Sequence, residues 1–266
     1  MEPAITLAPR SVLFVPSIRP SMIAKAAGLA ADLIVLDLED SVREDDKAAA
    51  RDALPVSLEL LHGRCAAVRI NASDTPHFAD DVRAIATLHV ALTVVPKVQS
   101  PDELAPLAGS PVLAMIETPA GVLAAADIAA TAGVVGLMVG TNDLAASLRL
   151  PLGAGRGPLA HALQAIILAA RAVGGWAIDG VFNALNDPQG LARECREGRM
   201  MGFDGKSLIH PDQVAVANTA FSPSAAELDE ANAMIAAAQG GAERFNDRMI
   251  EDMHVEMARR MLQRAP

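Results

Sequence analysis

Short apolar runs and Ala-rich amphipathic stretches alternate along most of the chain. Residues 11–16, 33–38, 66–71, 92–98, 112–118, 134–140, 177–182 and 206–210 are rich in Val, Ile, Leu or Ala, and most are apolar throughout. Strands of a parallel sheet covered on both faces read this way, without the polar alternation of a half-exposed sheet. Between them, residues 20–30, 44–61, 76–88, 101–107, 120–131, 159–173 and 187–199 carry helical spacing, often opening on Pro or Asp. Eight strand–helix units in about 220 residues average roughly 28 residues each, the size of the repeat in a (β/α)8 TIM barrel. The open doubly wound sheet is the alternative, and its glycine-rich GxGxxG turn is absent from the sequence.

The alternation stops near Ser222. Ser222-Pro223-Ser224 reads as a break followed by an N-cap, with a helix expected over 225–239. Gly240-Gly241 forms a turn, a mixed segment covers 244–254, and a last helix ends near Leu262. The expected organisation is a barrel over residues 1–221 and a helical C-terminal extension or lid over 222–266. The extension is too small for a core of its own and is expected to pack on the barrel or on a neighbouring subunit.

Composition narrows the function. Hydrophobic residues make up 52% of the 266, which excludes a disordered chain, and aromatic residues only 3%, so Ala, Leu and Val do the packing. With 22 basic against 32 acidic residues the net charge is −10, which leaves no basic footprint for nucleic acid. Cys65 and Cys195 form no CxxC pair and read as reduced thiols. Arg10, Pro16 and Arg19 break up the N-terminal apolar stretch, so no signal peptide is read there. The longest apolar run, around 134–140, falls far short of the roughly 18 residues of a membrane helix. A cytoplasmic protein is expected.

Barrels of this type place their chemistry at the C-terminal strand ends. Those ends read Asp37-Leu38-Glu39-Asp40, Arg69-Ile70-Asn71, Pro96-Lys97, Glu117-Thr118-Pro119, Thr141-Asn142-Asp143, Asp179 and, on the eighth strand, Lys206 through His210. Several acids and two or three cations are thus expected on one rim. Carboxylates from different strands repel each other, and a divalent cation is the usual remedy; an all-oxygen donor set favours Mg²⁺ or Mn²⁺ over Zn²⁺.

These segments, in this order, resemble a known family. Arg10-Ser-Val-Leu-Phe-Val-Pro16, Leu36-Asp-Leu-Glu-Asp-Ser-Val42, Val68-Arg-Ile-Asn71, Val95-Pro-Lys-Val98, Ile116-Glu-Thr-Pro119, Val139-Gly-Thr-Asn-Asp-Leu144, Ala177-Ile-Asp-Gly-Val181 and Gly202-Phe-Asp-Gly-Lys206 are similar to the citrate lyase β-subunit-like (CitE-like) group of the HpcH/HpaI aldolase and citrate lyase superfamily. The resemblance implies a TIM barrel, a trimer or hexamer, and Mg²⁺. It also implies reversible C–C cleavage of a 3-hydroxyacyl thioester, of the citryl-, malyl- or citramalyl-coenzyme A type, to an acyl thioester and a 2-oxo acid.

By position, the resemblance makes Glu117 and Asp143 the metal carboxylates and Arg69 with Glu117 the substrate-binding pair. Arg69, Asp37 and Glu251 become the catalytic candidates, with Glu39 and Asp40 standing behind them. Lys206 is read as structural or near the thioester arm. Two departures stand out. The lid segment Asn246-Asp-Arg-Met-Ile-Glu-Asp252 carries Glu251 where relatives have the Asp that reaches a neighbouring subunit, and Asp247 where they have Gly. Asn142 also stands where many relatives have Glu. These departures keep open a metal-dependent aldolase of free acids and a non-catalytic oxo-acid-binding subunit. Lys97 adds a further alternative, a Schiff-base lysine, while His210 reads as a structural strand-end residue.

Overall fold

In the computed structural model of the chain, which describes residues 7–88 and 90–265, the eight apolar runs close on themselves. Strands β1 (Ser11–Pro16), β2 (Leu33–Asp37), β3 (Ala66–Arg69), β4 (Thr93–Val95), β5 (Val112–Ile116), β6 (Val134–Val139), β7 (Trp176–Asp179) and β8 (Gly205–Leu208) lie in sequence order, each parallel to the next. β8 pairs back onto β1, with Ser11 opposite Lys206. Helical segments follow the strands, so the fold is the expected (β/α)8 barrel.

Parity along each strand decides what faces what. Val12, Leu33, Val35, Ala67, Val94, Leu113, Met115, Met138 and Ile178 gather into one buried apolar cluster. Two residues on from Val35, Ala67 and Met115 come Asp37, Arg69 and Glu117, which line a common cavity at the strand ends. Asp179 is one residue on from Ile178 and Lys206 one before the cavity-lining Ser207, so both belong to the opposite face.

The helical layer departs from expectation where proline and strand-end polar residues act. The helix expected over 44–61 is a 3₁₀ turn, Glu44–Asp46, and two short helices, Lys47–Asp52 and Leu54–Glu59, the second carrying Pro55 in its first turn. Pro106 keeps Pro101–Leu107 in 3₁₀ form. Two helices were not expected. Thr141–Ser147 begins at once after β6, and Gln213–Phe221 follows β8.

The chain divides into two compact units, one through Asn218 and one from Thr219. In the second, Ser224 caps the helix Ala225–Ala237: its hydroxyl accepts the Glu227 N–H at 3.3 Å, and the Glu227 carboxylate accepts the Ser224 N–H at 2.7 Å. The mixed segment is a hairpin, β9 (Glu243–Phe245) with β10 (Arg248–Ile250). Asn246 and Asp247 turn it with φ of 44° and 59°, so Asp247 takes the left-handed conformation expected of a glycine. The helix Asp252–Gln263 completes the unit.

Candidate active site

Asp37 and Arg69 face each other across β2 and β3 as registered partners. The guanidinium grips the carboxylate with both prongs, Nε to Oδ1 and NH2 to Oδ2, each at 2.6 Å. The backbone N–H groups of Glu39 and Ser41 donate to the same two oxygens at 2.9 and 3.0 Å. Burial alone would raise the Asp37 pKa; the Arg69 charge and its hydrogen bonds outweigh it and hold the carboxyl below its usual value. With both oxygens engaged, Asp37 orients Arg69. Phe14 supports the guanidinium from beneath, its ring centre 4.8 Å from Cζ.

Glu39 reaches Arg69 NH1 at 2.8 Å with one oxygen and Lys97 Nζ at 3.3 Å with the other. Asp40 lies at the edge, 3.4 Å from the same guanidinium nitrogen. Lys97 Nζ stands 4.0 Å from Asp143 Oδ2, and its backbone N–H donates to Glu117 Oε1 at 2.8 Å. Burial acts to lower the ammonium pKa, but Glu39 and Asp143 raise it overall. A lysine poised as a Schiff-base nucleophile needs the opposite shift, so the environment disfavours that alternative.

Glu117 is nearly buried, and desolvation, with Glu39 and Asp143 acting the same way, pushes its carboxyl up to about 8. Its second oxygen lies against Gly140, where any Cβ would overlap it. That glycine shapes the cradle in which the carboxylate rests. Asp143, in the first turn of the unexpected helix Thr141–Ser147, is half-exposed and lines the same cavity of about 390 Å³.

The donor set fits a hard cation. Among the described residues no three His, Cys, Asp or Glu side chains form a cage. Two carboxylates over an open cavity match Mg²⁺, which keeps most of its positions for water and substrate. Burial first, and the neighbouring acids Glu39 and Asp143 second, disfavour the Glu117 carboxylate, and a divalent ion would offset both.

Sequence reading missed what holds the β2 loop. Lys47 is buried, and its ammonium donates to the Leu38 and Glu39 carbonyls at 2.9 and 2.7 Å and to Asn71 Oδ1 at 2.7 Å. Asn71 in turn donates to Asp81, which accepts from Arg51. The signal was present: Lys47 shares the helical spacing of the buried Ala50 and Leu54.

Two rim expectations are corrected. Lys206 and Asp179 are fully buried and pair at 2.9 Å on the outer barrel face. Lys206 also meets Glu194 at 2.8 Å, and Arg156 closes on Asp179 at 3.0 Å. Of the two readings of Lys206 the structural one fits, because its parity on β8 sends it toward the helix Pro188–Met201. Cys195 on that helix is buried, its thiol pushed up to about 11 by desolvation. His210 accepts the Asp212 N–H at 3.3 Å in the turn after β8. Glu251 lies in the second unit, exposed at the start of its last helix, where its N–H donates to His254 Nδ1 at 3.0 Å.

Barrel and strand-end residues together are of the barrel-lyase class: carboxylates and an arginine around one open cavity. The chain belongs to the HpcH/HpaI aldolase/citrate lyase family, whose signature covers residues 10–211. It is 43% identical over 268 residues to a (3S)-malyl-CoA thioesterase of Cereibacter sphaeroides, covering 96% of this chain and 94% of the relative. It is 39% identical to a citrate lyase subunit beta-like protein of Mycobacterium tuberculosis, covering 95% and 94%. The crystal structure of M. tuberculosis CitE with magnesium, acetoacetate and coenzyme A superposes with a TM-score of 0.86 at 38% identity, over 97% of this chain and 98% of that one.

Proposed function

We propose that this protein is a Mg²⁺-dependent carbon–carbon lyase that cleaves a 3-hydroxyacyl-coenzyme A thioester bearing a carboxylate into an acyl thioester and a 2-oxo acid. The observation that carries the reading is the convergence of Glu117, Asp143 and Arg69 on one cavity. The family and its structures with magnesium, coenzyme A and oxo acids support it. Glu117 and Asp143 would hold Mg²⁺ (Mn²⁺ serving as substitute). The ion supplies Lewis-acid polarisation of the oxygen that changes between alkoxide and carbonyl.

The chain's own residues do the rest. Asp37 fixes the guanidinium plane of Arg69 through Nε and one N–H of NH2, leaving a further N–H on that nitrogen for a substrate oxygen. Arg69 steadies the negative charge that the thioester enolate carries when the C–C bond breaks. Glu251 from a neighbouring copy removes the hydroxyl proton, and return of a proton to the enolate carbon gives the acyl thioester. Phe14 and Met115 give the cavity apolar walls that strengthen these charge contacts. The reading includes a cytoplasmic homo-oligomer, a trimer or hexamer. Exposed Met249, Met253 and Met257 in the second unit support burial against another copy, and among the described residues no helix is long and apolar enough to cross a membrane.

A second reading, hydrolysis of the thioester itself, is favoured by the thioesterases among the relatives. One experiment separates the two. Malyl-, citramalyl- and citryl-coenzyme A and the corresponding free acids are incubated with and without EDTA. Keto acid is assayed beside free thiol. EDTA-sensitive keto acid with no free thiol supports the lyase; free thiol with intact hydroxy acid supports the hydrolase. Turnover of free acids alone, or of nothing, overturns both.

A further inference from the structure

Lys97 touches three of the site's carboxylates, yet the mechanism above gives it no task. It follows β4 with its backbone in the left-handed region, φ 54°, which a lysine adopts only where its surroundings hold it. The turn serves two ends. It aims the backbone N–H at Glu117 Oε1, and it places Nζ 3.3 Å from Glu39 and 4.0 Å from Asp143. The ammonium therefore stands between two acids without closing tightly on Asp143. Its side chain is more than a third exposed, so it has room to shift.

Charge bookkeeping around it is uneven. Arg69 is committed to Asp37 and leans on Glu39 and Asp40. Among the described residues, Glu39, Glu117 and Asp143 are left with one further cation within reach, Lys97. A divalent ion entering between Glu117 and Asp143 meets that ammonium beside the Asp143 oxygen it needs. Two cations cannot share the oxygen without repulsion, and the tethered one has Glu39 to retreat to.

We propose that Lys97 is a tethered counter-cation: it holds the Glu39–Glu117–Asp143 ring together in the metal-free protein, yields Asp143 to the incoming ion, and thereby sets the metal affinity. This rests on Glu117 and Asp143 being the metal carboxylates. Lys97 acts as a positioning residue; its charge opposes the ion, and its main-chain N–H orients Glu117.

The test is calorimetric titration of Mg²⁺ into the full-length protein. Lys97→Met is expected to tighten Mg²⁺ binding about tenfold, the order for removing one charge beside a divalent ion under near-aqueous screening. Lys97→Arg keeps the charge and is expected to stay within about twofold of wild type on the same argument. Lys97→Gln provides a second neutral variant should Met disturb folding, which thermal melts report. Neutral variants that bind Mg²⁺ as wild type does, or more weakly, overturn the proposal. Asp143→Asn separates the two failures. If it abolishes Mg²⁺ binding while the Lys97 variants do nothing, only the counter-cation role falls. If Asp143→Asn binds as wild type, or wild type binds no Mg²⁺, the ligand assignment falls and takes this proposal with it.

Discussion

The barrel carries two charged networks of similar make-up and opposite character. One sits at the strand ends: Asp37, Arg69, Glu39, Lys97, Glu117 and Asp143, arranged around an open cavity. The other joins Asp179, Lys206, Glu194 and Arg156 between β7, β8 and the helix Pro188–Met201. In the outer network the central pair, Asp179 and Lys206, is wholly buried and each charge has its partner in place. In the inner one Asp143 is half-exposed, Lys97 bridges loosely, and Glu117 is pushed up to about 8. The outer network, its central pair closed, fastens strands to a helix. An incomplete one facing a cavity keeps room for a cation and an anion from outside.

Mutation turns this contrast into an ordering. The largest effect is expected inside: Asp143→Asn lowers Mg²⁺-dependent turnover roughly a thousandfold, several kcal/mol of Lewis-acid stabilisation. Its stability, followed by urea denaturation, is expected to change by less than about 0.5 kcal/mol, as for other half-exposed positions. The mirror variant, Lys206→Met, strips a buried carboxylate of its main partner and is expected to cost roughly 3–5 kcal/mol of stability with Mg²⁺ affinity unchanged. If Asp143→Asn destabilises and Lys206→Met weakens metal binding, the division of labour is wrong.

Next in size, Glu251→Gln is expected to lower turnover about a hundredfold, the scale of a lost acid–base group, while leaving Mg²⁺ affinity intact. Mixing it with Asp143→Asn restores part of the activity if the base comes from another copy; unaltered turnover removes Glu251 from the chemistry. The smallest effect for a single step is in pH. Because the folded protein raises Glu117 to about 8, its carboxyl is protonated at pH 7 without metal, and Mg²⁺ must displace that proton. Mg²⁺ affinity should then rise about tenfold per pH unit up to about 8 and level off above it. Calorimetry in buffers of different ionisation enthalpy would detect the released proton, and a flat profile from pH 6 to 8 would refute it.

How much of this was legible differs residue by residue. Arg69 and Glu117 were readable because each is a charge at the end of an apolar strand, where a barrel must place its chemistry. Lys206, read as structural or near the thioester arm, could not be decided between the two, since inner and outer faces differ by one position and strands this short give no polar alternation from which to count. Lys47 was not singled out although it lay on the buried stripe. The helix Thr141–Ser147 was given no range from the sequence, although the strand before it was expected to end at Gly140.

Sequence alone determined the barrel, through eight apolar runs that can be buried only as parallel strands, and it determined which residue types stand at their ends. Tertiary structure decided the rest. Closure brought β2, β3, β5 and β6 around one cavity, register set Asp37 opposite Arg69, and a left-handed turn aimed Lys97 at three acids. Local pattern reports what a segment must bury. Which charges meet depends on distances between segments far apart in the chain, and only the closed barrel sets those.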